Sequence, residues 1–376
     1  MQNKEIQMGE NKKKFNVSVV LFFCIIAIFI GKGVRYTVMR ETLVNTGIGW
    51  HMVNNVNNNS NKFGLTIKEQ SSEESYSSAT SNAGFIFQIL NFFHFATNYY
   101  QYEILITIVW NILILLIISK FKRSFSLFDM FFIVVSVAVL NIFDFTLAKE
   151  PVQMLYFLLM YLILVSKKSD TFKFLGCLGI YLLCFATFRN YYILMVGFMI
   201  YIYYTFKYLM SNIKRIKFKH ILILIISIFL CYYLLMNIVK VIDVASYNEL
   251  FRVRLRSSSA TSDMRTIFNS DNLIIFTFDY IIMMIRMLVP IELIRLGSKY
   301  ALYALYQIMI SVILIENLKK INKLQGSRKI AVYIYIAFLM GSAAFEPDFG
   351  SWVRHEAVLF PIVMIMNGYN EKGDEN

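Results

Sequence analysis

Apolar residues gather into uninterrupted runs of sixteen to twenty that recur from Phe15 to Met366, with short polar connections between them. Such runs are too long for strands, and in lipid a helix is the one segment that satisfies all its own backbone amides. The pattern predicts hydrophobic helices at 15–31, 103–119, 129–147, 151–166, 173–188, 191–206, 220–239, 300–318, 330–345 and 355–369. The expected fold is all-α: a polytopic integral membrane protein, one transmembrane domain over 1–376 with about ten transmembrane helices.

The apolar segment 273–290 fits less well as a full span. It carries Asp279 and Arg286, seven residues apart and so on one helical face, which suits an element lining a wet cavity. Counting it as a crossing would also reverse the sidedness of everything that follows. We expect a re-entrant or interfacial segment there, within an outer connection at 240–299. A second long outer connection, 34–102, begins with a run rich in Asn, Ser and Glu over 54–81 and has no core-forming pattern there. It ends in 85–97, where Gln88, Asn91 and His94 recur at helical spacing on an apolar stretch, the pattern of a short interfacial helix. No internal repeat is visible.

Charge gives the arrangement a direction. With the N-terminus inside, the short connections Lys120–Arg123, Lys167–Lys173, Lys207–Lys219 and Lys319–Lys329 all fall on the cytoplasmic side and all are lysine-rich. Both termini are then cytoplasmic, and the expected location is the plasma membrane. Lys12, Lys13 and Lys14 before the first run resemble the start of a signal peptide, but no small-x-small site precedes Lys32, so the run reads as an uncleaved span. The net charge of +13 follows from this topology and argues for anionic headgroups rather than nucleic acid. Cys24, Cys177, Cys184 and Cys231 all lie inside apolar runs without metal-ligand spacing, so neither a disulfide framework nor a metal site is expected.

Arginine behaves differently from lysine. Eighteen of twenty-four lysines fall on the cytoplasmic side, yet ten of thirteen arginines fall on the opposite one. Arginine presents a planar fork suited to phosphate and carboxylate, so this bias points to chemistry at the outer face. Arg189 sits where only a short turn separates two apolar runs, beside Asn190, Tyr191 and Tyr192; the plainer reading is a snorkelling arginine. Arg252, Arg254, Arg256 and Arg265 lie in the second long connection, and Arg286, Glu292 and Arg295 surround the re-entrant segment.

Between Glu346 and Glu356, five ionisable groups occur in eleven residues around a Gly-Ser turn at the lip of the last span. Glu346, Asp348, His355 and Glu356 are candidate bases toward a hydroxyl, and Arg354 a candidate anion holder; a solvated loop with internal ion pairs is the plainer reading. Lys149 and Glu150 precede Pro151 and equally mark the start of a helix. Asn111, Asn141 and Asp144 are the candidate polar positions within the spans, and Asn111 has an ordinary role available as an interhelical bond.

The stretch Pro347 to Pro361, with Ala148-Lys-Glu-Pro151 and Phe188-Arg-Asn-Tyr191, resembles bacterial Wzy-like polysaccharide polymerases of capsule, exopolysaccharide and O-antigen assembly. The multi-span GT-C glycosyltransferases are related but match less well, because the outer stretch after the first span, Gly33 to Glu41, holds only Glu41 and no paired aspartates. The resemblance implies polymerisation of lipid-linked oligosaccharide units at the outer face of the cytoplasmic membrane, by glycosyl transfer from a polyprenyl pyrophosphate without metal or cofactor. It implies as partners that lipid-linked oligosaccharide, membrane lipid and other polysaccharide-assembly proteins. On this basis Arg189, Arg286 and Arg354, with Lys149, Glu150, Glu292 and Arg295, are expected to bind substrate, and His355, Glu346 or Asp348 to act in catalysis. A GT-C transferase using a polyprenyl-phosphate sugar, and a flippase or transporter of lipid-linked sugar, are the alternatives.

Overall fold

The computed structural model describes residues 14–37, 99–121, 124–145, 149–189, 191–209, 264, 267–268, 273–295, 297, 300–343, 346 and 348–368. The expected interfacial helix 85–97, the span 220–239 and the arginines at 252, 254, 256 and 265 lie outside the described residues. What is described is mostly helical: α1 (Val17–Thr37), α2 (Tyr99–Lys120), α3 (Leu127–Phe143), α4 (Glu150–Val165), α5 (Asp170–Thr187), α6 (Tyr192–Tyr204), α7 (Leu273–Leu288), α8 (Ile291–Arg295), α9 (Ala301–Lys319), α10 (Gly326–Ala343), α11 (Phe349–Ala357) and α12 (Phe360–Met366).

Local chemistry explains where many of these begin. Ser126 caps α3 in a reciprocal box with Asp129, Ser169 accepts from the Phe172 amide at the start of α5, and Asp348 accepts from the Ser351 amide at the start of α11. Pro151 and Pro361 occupy the first turns of α4 and α12, where no amide hydrogen is needed. Each cap satisfies backbone groups that lipid leaves unpaired.

Among the described residues four helices are long and apolar enough to cross a membrane: α1, residues 103–120 of α2, α5 and α9. The pair α11 and α12, bent by 71° at its break, makes a fifth if joined. In α1 only 22% of the apolar window is buried, leaving Phe22, Phe29 and Ile30 facing outward. An outward apolar surface of this kind is what a lipid environment selects. The helices α3, α4 and α6, which the sequence also marks as spans, are shorter, and α10 is eighteen residues long without qualifying. The first turn of α10, Gly326-Ser-Arg-Lys329, is polar and charged and lowers the mean hydropathy of the helix. α10 lies inside the bundle against α4, α5, α6, α7 and α12, and from Ile330 to Ala343 nearly all its residues are buried, so protein rather than lipid surrounds it.

The two ends of the bundle differ in chemistry. At one end, β1 (Phe15–Asn16) pairs antiparallel with β2 (Ser124–Phe125), Phe15 opposite Phe125, so α1 and α3 start together and run side by side in the same direction. The same end collects the Asn367 to Asp129 bond (3.0 Å), Arg328 to Asn317 (2.8 Å), Ser327 to the Leu164 carbonyl (2.5 Å) and Lys173 to Ser327 (2.9 Å). Lys120, Lys167, Lys168, Lys319, Lys320 and Lys323 belong to the helix ends and turns gathered here. At the opposite end α1, α2 and α3 are joined by Arg35 to Glu103 (2.8 Å), Arg35 to the Ile142 carbonyl (2.9 Å) and Lys32 to the Phe145 carbonyl (2.6 Å). Among the described residues one end, the lysine-rich end, thus gathers most of the lysines with Arg328, and the other, the arginine end, gathers Arg35, Arg189 and Arg354 with Lys32 and Lys149.

Helix α7 reaches only part of the way between them. Its Tyr280 hydroxyl donates to the Met340 carbonyl near the arginine end, whereas its last carbonyl, Leu288, accepts from Ser311. Ser311 lies ten residues into α9, about 15 Å along its axis. After Pro290, α8 and Tyr300 carry the chain back to the start of α9, where Tyr303 packs on Phe143 at 4.9 Å.

Close packing between α1 and α3 centres on Gly31. A Cβ there would meet the Asn141 Cβ at 2.9 Å and the Ala138 carbonyl at 3.0 Å, whereas one at Gly33 would meet nothing within 4 Å. Beside this crossing Asn111 and Asn141 exchange two side-chain bonds of 2.8 and 2.9 Å between α2 and α3, the role in which buried amides join membrane helices. Replacing Gly31 by Val should cost about 1–3 kcal/mol through overpacking, read as a lowered unfolding midpoint in detergent; Gly33→Ala should leave the midpoint unchanged, and equal effects from the two would refute this crossing.

Candidate functional site

The arginine end holds a cluster assembled from three separate connections. Asp144 closes α3, Lys149 and Glu150 open α4, Arg189 and Tyr191 form the turn between α5 and α6, and Glu346 to His355 lead into and along α11. Their charges act on one another: Lys149 feels Arg189, Glu150, Glu346 and Arg354, and Asp144 feels Glu150, Arg354, Arg35 and Lys32.

Residues distant in sequence are fixed here by direct bonds. His355 is buried between two carboxylates, its Nδ1 2.5 Å from Glu346 Oε1 and its Nε2 3.5 Å from Glu150 Oε1. Burial alone would raise the pKa of Glu346, but His355, by charge and hydrogen bond, with Lys149 and Arg189, holds it down at about 2. Burial lowers the Lys149 ammonium to about 7, Arg189 adding to the effect while Glu150 and Glu346 oppose it. Asp348 is committed to capping α11, accepting from both the amide and the hydroxyl of Ser351 at 2.8 Å. The other face of α11 is locked into the bundle: Trp352 donates to Gln307 (3.0 Å), while Glu356 accepts from Gln307 (3.1 Å) and from the Tyr335 hydroxyl.

The arginines divide into two kinds. Arg35 grips Glu103, and Arg286 grips Glu292 in a two-bonded fork of 2.8 and 2.7 Å. Arg189 and Arg354, both half-buried, have no carboxylate within 4.0 Å among the described residues. Arg189 lies over the Tyr191 ring at 5.5 Å and makes one long bond of 3.5 Å to its hydroxyl; Arg354 makes one of 3.4 Å to Ser351. Two guanidinium groups thus keep most of their donors open within a largely buried cluster, where a bound oxyanion gains most.

Acceptors and neutral polar groups are open there too. Among the described residues both oxygens of Asp144, both polar atoms of Gln153 and the Tyr192 hydroxyl are buried without a hydrogen-bond partner, while Glu150 Oε1 and His355 Nε2 make no hydrogen bond but face each other at 3.5 Å. Buried polar atoms are ordinarily satisfied, so a concentration of exceptions marks a place built for something else. Open donors beside open acceptors suit a ligand that combines an anion with hydroxyl groups.

Of the residues expected from sequence, the structure brings Arg189, Arg354, Lys149, Glu150, Glu346, Asp348 and His355 together. Arg286 and Glu292 instead pair with each other across the break between α7 and α8, and Arg295 is exposed on α8. Sequence reasoning marked Asp144 only as a buried polar position, noted Tyr192 only as a neighbour of Arg189, and passed over Gln153. A signal for Gln153 was present, since it lies three residues after Glu150 and so on the same helical face. No family model, curated protein or solved structure matches the chain.

A carboxyl group with a depressed folded-state pKa stabilises the fold above its unfolded value, and that contribution is lost as pH falls through the folded one. For Glu346 the window runs from 4.5 down to about 2. In detergent, wild-type protein should lose thermal stability over this range more steeply than Glu346→Gln; parallel curves would show that Glu346 carries no such linkage.

Proposed function

We propose that this chain is a Wzy-like polysaccharide polymerase, transferring a glycan from a polyprenyl pyrophosphate to the sugar end of a second lipid-linked unit. In this reading the lysine-rich end is cytoplasmic, the arginine end faces outward, about ten spans cross the plasma membrane, and α7 with α8 forms a re-entrant hairpin from the outer side. The half-depth stop of α7 beside Ser311 supports the hairpin.

The observation that carries the activity is the open pair Arg189 and Arg354 beside buried, unpartnered acceptors. A departing pyrophosphate develops charge that needs fixed donors, and guanidinium groups in a partly dry site supply them. An acceptor hydroxyl needs a proton acceptor close by, and the carboxylates of the same cluster are of that type. The apolar outer faces of the surrounding helices leave lipid access for a polyprenyl chain. A transporter reading is less well supported, because the polar pair deeper in the bundle, Asn111 and Asn141, is satisfied by itself.

Arg189→Ala and Arg354→Ala should each abolish long-chain glycan in the native host while the protein remains in the membrane. Arg→Lys at either position should restore little, since a point charge cannot reproduce a two-pronged contact. Normal polymer from both alanine variants would remove the pyrophosphate role, and full rescue by lysine would reduce the arginines to generic charge.

A further inference from the structure

The cluster offers several carboxylates, but most have work already. Glu346 is bound to His355, whose second nitrogen faces Glu150, so both ring nitrogens are occupied by acidic neighbours. Asp348 holds the first turn of α11. Asp144 differs: it is completely buried, and among the described residues neither of its oxygens has a hydrogen-bond partner. Burying a carboxylate without a partner is costly, and such a group persists where function requires it.

Its position is also distinctive. Asp144 stands at the C-terminus of α3, a helix tied to α1 at three points: the Gly31 crossing, Lys32 bound to the next carbonyl, Phe145, and Arg35 bound to the carbonyl of Ile142. Backbone bonds from Asp144 and Phe145 back to the Leu140 carbonyl fix the turn itself. The carboxyl group is therefore carried on rigid backbone, within electrostatic reach of Glu150, Arg354, Arg35 and Lys32.

We infer that Asp144 is a catalytic residue that accepts the proton of the acceptor sugar hydroxyl, with Arg354 beside it marking where the donor pyrophosphate lies. The inference rests on the polymerase reading above. In the step, the acceptor oxygen forms a bond to the anomeric carbon of the donor glycan as the bond from that carbon to the pyrophosphate oxygen breaks. The hydroxyl proton passes to an Asp144 oxygen, and the polyprenyl pyrophosphate leaves with the bonding electron pair onto Arg189 and Arg354. Loss of general-base assistance of this kind lowers rates by about 10²–10⁴-fold.

The test uses full-length protein in membrane vesicles of the native host, with glycan chain length as the activity readout. A thermal shift with geranylgeranyl pyrophosphate, measured on the purified protein, gives a separate readout of the anion site. Asp144→Asn should keep the wild-type thermal shift and lose about 100-fold or more in transfer, and added formate should restore part of the transfer of Asp144→Ala. Should Asp144→Asn fail to reach the membrane, Asp144→Glu takes its place, with transfer reduced and the thermal shift retained. Transfer by the substituted protein within about threefold of wild type, or an Asp144→Ala protein that formate leaves inactive, overturns the role of Asp144 while the polymerase reading stands. Wild-type vesicles that make no polymer, from a protein that geranylgeranyl pyrophosphate does not stabilise, remove the polymerase reading itself and this inference with it.

Discussion

A charge removed from water must be met by an opposite charge or by hydrogen bonds, and the arginine end of this bundle is arranged around that demand. Arg35 and Lys32 satisfy it structurally, joining the ends of α1, α2 and α3 through Glu103 and two backbone carbonyls. His355 satisfies it between Glu346 and Glu150, linking the start of α4 to the segment before α11. Since removing one member of a buried pair leaves the other uncompensated, each of these ties strongly constrains the helices it connects.

Against that background the groups left unmet become informative. Arg189, Arg354 and Asp144 are drawn from the turn between α5 and α6, from α11 and from the end of α3, while Gln153 and Tyr192 lie one turn after Glu150 and next to Tyr191. A chain selected only for stability would have paired them or replaced them with apolar residues of similar size. The rigid elements behind them matter as much as the groups: α11 is anchored on its far side by Trp352, Gln307 and Tyr335, so Arg354 and His355 are presented by a helix that does not have to be ordered on binding.

Much of this was legible in the sequence, for identifiable reasons. Apolar run length marked most of the described helices, and lysines at the short turns marked one end of the bundle. The Glu150-Pro151 start signal marked the beginning of α4, whereas the caps Ser126, Ser169 and Asp348 went unread. Run length could not say which helices meet lipid and which are enclosed, because α10 and α1 are both apolar while only α1 exposes its surface. Nor could it separate Arg286 from Arg189: both are arginines at span edges, and only the fold reveals that the first already has Glu292 as a partner. Asp144 was hidden for the opposite reason, since its significance lies in having no partner, and sequence spacing does not register that.

The order in which the chain is made acquires a meaning from the position of α11. Asp144, Glu150 and Arg189 leave the ribosome well before Glu346, Arg354 and His355, which complete their surroundings. During synthesis the earlier residues therefore sit at the membrane edge with their electrostatic counterparts still missing, able to stay hydrated at the interface. Docking of the last two helices is then the event that encloses the cluster, so a ribosome stalled before Phe349 leaves behind a bundle whose polar groups remain in water.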